Sequence, residues 1–256
     1  MKKNQIFNFP INIGRFKDFI DSIIESAIAG TGKYVCVANV HMIIEASRDA
    51  SFLEKVKKAS VVMPDGKPLT WAVRLLNGVK QERVAGMDVL PALLLQSENK
   101  GLPVYFYGGT PSLLARTNEY IKAGYPNLKI NGSYSPPFRE LTKEEENSVI
   151  ENIDQSGARL IFVILGCPKQ ESWMASMAGK FNAVMIGVGG ALPVLVGIQK
   201  RAPKWMQNAG LEWLFRLYLE PRRLFKRYAV TNPFFLYLLS KELIKKIISD
   251  KRVLFK

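Results

Sequence analysis

The chain is poor in the residues that hold metals and disulfides. Among 256 residues, Cys36 and Cys167 are the only cysteines and His41 is the only histidine. Two cysteines build neither a disulfide framework nor a zinc site of the usual kind, and a reducing compartment is the simplest setting. No Asp-x-Asp pair occurs, so a divalent cation clamping a diphosphate is not indicated, and neither a metal nor a cofactor is expected. Long apolar runs are also missing. The longest falls far short of the roughly 20 residues that span a bilayer. The basic start, Met1-Lys2-Lys3, is followed by Asn8, Pro10, Asn12 and Gly14, which leaves no signal-peptide pattern. There is no internal repeat, no Walker motif and no complete Gly-x-Gly-x-x-Gly fingerprint.

Positive charge is abundant and lopsided. The net charge is +14, and from Lys200 onward fourteen Lys and Arg face only Glu212, Glu220, Glu242 and Asp250. A nearly neutral body with a basic end calls for a polyanion: membrane lipid, pyrophosphate or nucleic acid. In the tail the arginines interleave with Trp205, Trp213, Phe215 and Phe225, and Phe234 to Leu239 adds apolar surface. Cations clustered beside aromatics at one end favour a membrane surface over a nucleic-acid groove, and a basic helix of this kind lies on a bilayer rather than crossing it. Its exposed apolar residues also permit self-association.

Elsewhere the chain alternates short apolar runs, glycine turns and helical patterns. Strands are expected at Tyr34–Ala38, Val61–Met63, Val104–Tyr107, Leu160–Leu165 and Ala183–Ile186. An amphipathic stretch follows from Met42 to Lys58, and a helix from Ser112 to Ala123. This is the grammar of an α/β fold: a Rossmann-like open, mainly parallel sheet with helices on both faces. Residues 1–200 form the expected core and residues 201–256 a helical, basic appendage, whose longest apolar stretch is interrupted by Asn232 and Pro233. In such sheets ligands bind at the carboxyl ends of the strands, where all the glycine turns lie.

Several residues there could carry chemistry. Asp65, in Pro64-Asp65-Gly66, reads either as a base for an attacking hydroxyl or as a turn or cap residue for the next helix. Asp88 reads as an N-cap, while Arg83 could reach an anionic group. Gly108-Gly109 and the run Gly166 to Glu171 offer free backbone N–H groups suited to phosphate or uracil. Gly187-Val188-Gly189-Gly190 begins like a dinucleotide fingerprint and does not complete it, which argues against a nucleotide-dependent oxidoreductase. His41 follows Asn39 at a strand end and reads as a packed or a binding histidine.

Taken in order, these segments resemble the WecG/TagA/CpsF family of glycosyltransferases. The resemblance rests on Asn39, Pro64-Asp65-Gly66, Arg83 with Gly86 and Asp88, Gly108-Gly109, Gly166 with Pro168, Gln170, Glu171 and Trp173, and Gly187-Val188-Gly189. The most specific block is Arg201-Ala202-Pro203, Trp205, Gly210-Leu211-Glu212-Trp213, Arg216-Leu217, Glu220-Pro221, Arg223 and Arg227-Tyr228. It implies an inverting, metal-independent transfer from a UDP-sugar to an undecaprenyl-diphosphate-linked saccharide, at the cytoplasmic face of a bacterial membrane. It further implies Asp65 as general base and Asn39, Arg83 and Gln170 as donor or acceptor ligands, with His41, Gly108, Gly109, Glu171, Gly187 and Gly189 beside them. Arg216, Arg223 and Arg227 would face the diphosphate. Two positions depart from the family pattern. Val37 stands where many members have Thr, and Leu192-Pro193 stand where many carry an aromatic and an Asp. Both bear on substrate contacts and leave the donor sugar open between N-acetylmannosamine and another.

Overall fold

The computed structural model describes residues 1–254, with side chains to residue 249; Asp250, Lys251, Arg252 and Lys256, part of the expected basic tail, lie outside the described side chains. The chain opens with a hairpin, β1 (Lys2–Ile6) and β2 (Phe9–Ile13), then α1 (Phe16–Ile28). Next come β3 (Tyr34–Ala38), α2 (Val40–Arg48), α3 (Ala50–Lys58), β4 (Val61–Pro64), α4 (Lys67–Asn77) and α5 (Gly86–Asn99). After these follow β5 (Val104–Gly108), α6 (Pro111–Gly124), β6 (Ile130–Tyr134), α7 (Lys143–Gln155), β7 (Leu160–Ile164), α8 (Lys169–Met177), β8 (Val184–Gly187) and α9 (Ala191–Leu195). The chain ends in α10 (Lys204–Ala209), α11 (Glu212–Leu219) and α12 (Pro221–Leu254).

Six strands form one parallel sheet in the order β4-β3-β8-β7-β5-β6. Its central strands are apolar at every position because both faces are covered. Successive residues point to opposite faces, and two cores result. Tyr34, Cys36, Ile161 and Val163 join Met42, Phe52, Met174 and Phe235 on one face. Val35, Val37, Leu160 and Phe162 join Phe19, Ile23, Leu90 and Leu113 on the other. The expected α/β fold is therefore the fold observed. The edge strand β4 is shielded by the hairpin, where buried Asn12 accepts the Val62 N–H at 2.8 Å.

Two local expectations are corrected. The stretch Met42–Lys58 is two helices, because Asp49 adopts extended backbone and its side chain caps the N–H groups of Ser51 and Phe52. Asp88 is not an N-cap: α5 starts earlier, with Ala85 at its cap, and the Asp88 carboxylate is taken by Arg83 and Arg201. The helix α12 runs through Pro233, which removes one backbone hydrogen bond, and buried Thr231 and Phe235 pin that turn to the protein. No helix among the described residues is long and apolar enough to cross a membrane.

Candidate active site

Neighbouring strands β3 and β8 send their following helices, α2 and α9, to opposite faces of the sheet. The crevice this creates at the carboxyl ends is where open α/β sheets bind ligands. Here it is a cleft of about 670 Å³, floored by the loops after β3, β4, β7 and β8 and walled by α11 and α12. The sequence-expected residues Asn39, His41, Asp65, Gln170, Gly187, Gly189, Arg216, Arg223 and Arg227 all line it.

Asp65 follows β4, and its own N–H donates to Ala38 O at 2.7 Å. Gly66, not Asp65, occupies the N-cap of α4, and no side-chain cap bond is made there. The carboxyl faces the Gly86 N–H. Protein surrounds it closely enough that burial pushes its pKa up to about 7, with Glu212 adding to the rise and Arg83 and Arg216 opposing it. A carboxylate near 7 is suited to accepting a proton at neutral pH. As a proton acceptor it would act as the anion, so kcat/KM, which reports the unliganded enzyme, should climb as pH rises through about 7 and then level off. A profile flat from pH 5.5 to 8.5, measured by initial rates, would show that this carboxyl is not titrating in the rate-limiting step.

On the floor, the Gln170 amide is fixed at both ends. Its Oε1 accepts the Gly166 N–H at 3.1 Å, and its Nε2 donates to Glu171 at 2.7 Å. A Cβ on Gly187 would come within 2.6 Å of that Nε2, so glycine is what lets the amide lie there. Asn39 caps α2 by accepting the Met42 N–H at 3.2 Å. His41 is half-buried; burial, then the nearby Arg227, holds its pKa below the ordinary imidazole value, so it is neutral at pH 7.

The arginines differ. Arg216 lies against Gly190, with its Nη2 3.0 Å from where a Cβ would stand. Among the described residues Arg216 and Arg227 carry no salt bridge, whereas Arg223 is held by Glu220, its Nε at 2.9 Å. Arg83, Gly108, Gly109 and Glu171 are not part of the lining. Arg83 is committed to Glu212, to Asp88 at 3.1 Å and to Gln207 at 3.4 Å, which ties α10 and α11 to the core. Gly108 has φ +104, and a Cβ on it would meet the Ile164 carbonyl at 2.7 Å: this glycine serves the approach of β5 to β7. Glu171 is fully buried beneath Gln170.

Other lining residues have no site role that the sequence alone assigns. Glu212 is the second carboxylate of the cleft, Tyr228 stacks edge-on with Trp213 at 5.8 Å, and the exposed Phe138 borders the rim. Glu212, Trp213 and Tyr228 sit inside the most specific sequence block, which was the available signal.

A carboxyl group at a strand end beside two arginines that carry no salt bridge among the described residues, in the switch-point crevice of a parallel sheet, is the arrangement of a Rossmann-like enzyme. The chain belongs to the Glycosyl transferase WecG/TagA/CpsF family, which it matches over residues 4–248, and it is a glycosyltransferase. It is 31% identical, over 98% of its length and 96% of the relative's, to the N-acetylglucosaminyldiphosphoundecaprenol N-acetyl-beta-D-mannosaminyltransferase of Bacillus subtilis (strain 168).

Proposed function

We infer that the protein transfers a sugar from a UDP-sugar to an N-acetylglucosaminyl-diphosphoundecaprenol acceptor by a single inverting displacement without a metal. The observation that carries this reading is the pairing, in one cleft, of the Asp65 carboxyl with unpaired Arg216; the B. subtilis relative supplies the acceptor class. Asp65 takes the proton of the acceptor hydroxyl as its oxygen attacks the anomeric carbon. The bond from that carbon to the UDP oxygen breaks, and its electron pair stays on the diphosphate. Arg216 and Arg227 stabilise the charge that develops there, with Arg223 available once it leaves Glu220. Asn39 and the Gln170 amide hold the sugars. Val37 and Pro193 also line the cleft, so both departures from the family pattern lie where they can change sugar selection.

The tail adds a second role. Trp205, Tyr218, Phe225, Leu236 and Tyr237 are exposed among arginines and lysines on α10 to α12. Their insertion into the interface of an anionic leaflet would place the cleft beside a lipid-linked acceptor as a peripheral protein.

Among the described residues no cluster of three His, Cys, Asp or Glu could hold a metal ion. With the leaving diphosphate neutralised by arginine, acceptor-dependent UDP release should persist in excess EDTA at its rate without chelator. Loss of activity that Mg²⁺ or Mn²⁺ restores would overturn the assignment of charge neutralisation to arginine.

A further inference from the structure

Beside the cleft lies a second hollow of about 330 Å³, and the two share Met87, Gln199, Glu212 and Arg216. Its other walls are of two kinds. Val194, Ile198 and Leu219 are apolar, and Ile198 and Leu219 remain 56% and 39% exposed. Lys200 and Arg201 are cationic. The acidic walls are already neutralised: Glu212 by Arg83 and Glu220 by Arg223, while Arg201 is taken by Asp88. Among the described residues the cations left without a salt bridge here are Arg216 and Lys200.

A hollow that combines apolar walls with two cations free of salt bridges, and shares residues with the cleft, matches an amphiphile with an anionic head. A free nucleotide would leave the apolar wall uncovered, and a simple hydrocarbon would leave the cations unmatched. We propose that this hollow seats the first isoprene units of the acceptor's polyprenyl chain, with its diphosphate on Arg216 and Lys200; this rests on the acceptor class inferred above. Arg216 lines both hollows. In this arrangement it would face the donor diphosphate in one hollow and the acceptor diphosphate in the other. The remainder of the polyprenyl chain would leave by the exposed Leu219.

The test needs no turnover. Binding of farnesyl diphosphate and of inorganic diphosphate is measured by calorimetry on the full chain in detergent-free buffer. The wild type should bind farnesyl diphosphate about tenfold or more tightly than diphosphate, since buried apolar area adds to the same ionic contact. Ile198→Glu and Leu219→Glu change exposed positions, which keeps the fold, as a melting curve will verify. Each should bring the ratio of the two affinities towards one, while Leu236→Ser, on the far part of α12, should leave the ratio as it is. A wild-type ratio near one, or a ratio unchanged in both Glu variants, overturns the proposal. So does a preference lost instead in Leu236→Ser, which would assign the chain to the long helix. Intact farnesyl preference with no sugar transfer to any lipid-linked acceptor would overturn the functional reading and leave the hollow standing.

Discussion

Asp65→Asn should lower kcat by about 10²–10⁴-fold, the contribution of a positioned base, and should at the same time make the protein more stable. The two effects share one cause. Folding raises the Asp65 pKa from 3.8 to about 7, so between these values the folded state binds more protons than the unfolded state. Stability from this group therefore falls as pH rises through that window, and above about pH 7 the full penalty of a poorly solvated carboxylate is present. Asparagine removes it. Because Asp65 keeps some opening to the cleft, the gain is on the order of 1–4 kcal/mol at pH 8. That corresponds to a Tm rise of about 2–4 °C per kcal/mol for a chain of this size. The rise should shrink as pH falls through this window and vanish about one unit below the unfolded pKa, where both states are protonated. Kinetics and melting curves on the same preparation check this. A variant that loses stability and keeps turnover would make Asp65 a turn residue.

Arg216→Ala should lower kcat/KM by about 10²–10³-fold, the usual cost of removing one preorganised donor to a developing anion. Arg216 has the largest expected effect among the tail arginines because it is unpaired among the described residues, lies against Gly190 beside Asp65, and lines both hollows. Arg223→Ala should cost less, since that guanidinium is already balanced by Glu220. Arg216→Lys should recover only part of the loss, because an ammonium cannot make the paired planar contacts of a guanidinium. Equal losses in Arg216→Ala and Arg223→Ala would mean that the tail arginines act as a diffuse field. Normal kinetics in Arg216→Ala would take the tail out of the chemistry.

What could be read from the sequence was whatever is local. The strands β3, β4, β5, β7 and β8 are short apolar runs that end in glycine turns, and a parallel sheet places those ends together. Hence Asn39, Asp65, Gln170 and Gly187 meet although they are far apart in the chain. The strand β6, Ile-Asn-Gly-Ser-Tyr, is a half-exposed edge with no apolar run to mark it. The hairpin turn is Phe7-Asn8, at φ +54 and +65. It lacks the glycine that advertises such turns, and Phe7 is held there by Phe235 of α12, 5.5 Å away. Arg83 shows the same limit at the site. A cation near a helix start looks like an anion binder, and its partner Glu212 stands 129 residues later. A glycine at a strand end likewise has two uses. Gly187 admits the Gln170 side chain to the cleft floor, whereas Gly108 admits the neighbouring strand. Only the Ile164 carbonyl, supplied by tertiary packing, tells them apart.

The central claim is that one cleft joins a UDP-sugar to a lipid-diphosphate-linked N-acetylglucosamine through Asp65. The direct measurement is UDP release from a panel of UDP-sugars, with and without a short lipid-diphosphate-linked N-acetylglucosamine, for the wild type and Asp65→Asn side by side. The account predicts release that requires the acceptor, yields a disaccharide on the lipid diphosphate, and falls by about 10²-fold or more in the variant. Release independent of the acceptor, or undiminished in Asp65→Asn, would contradict it.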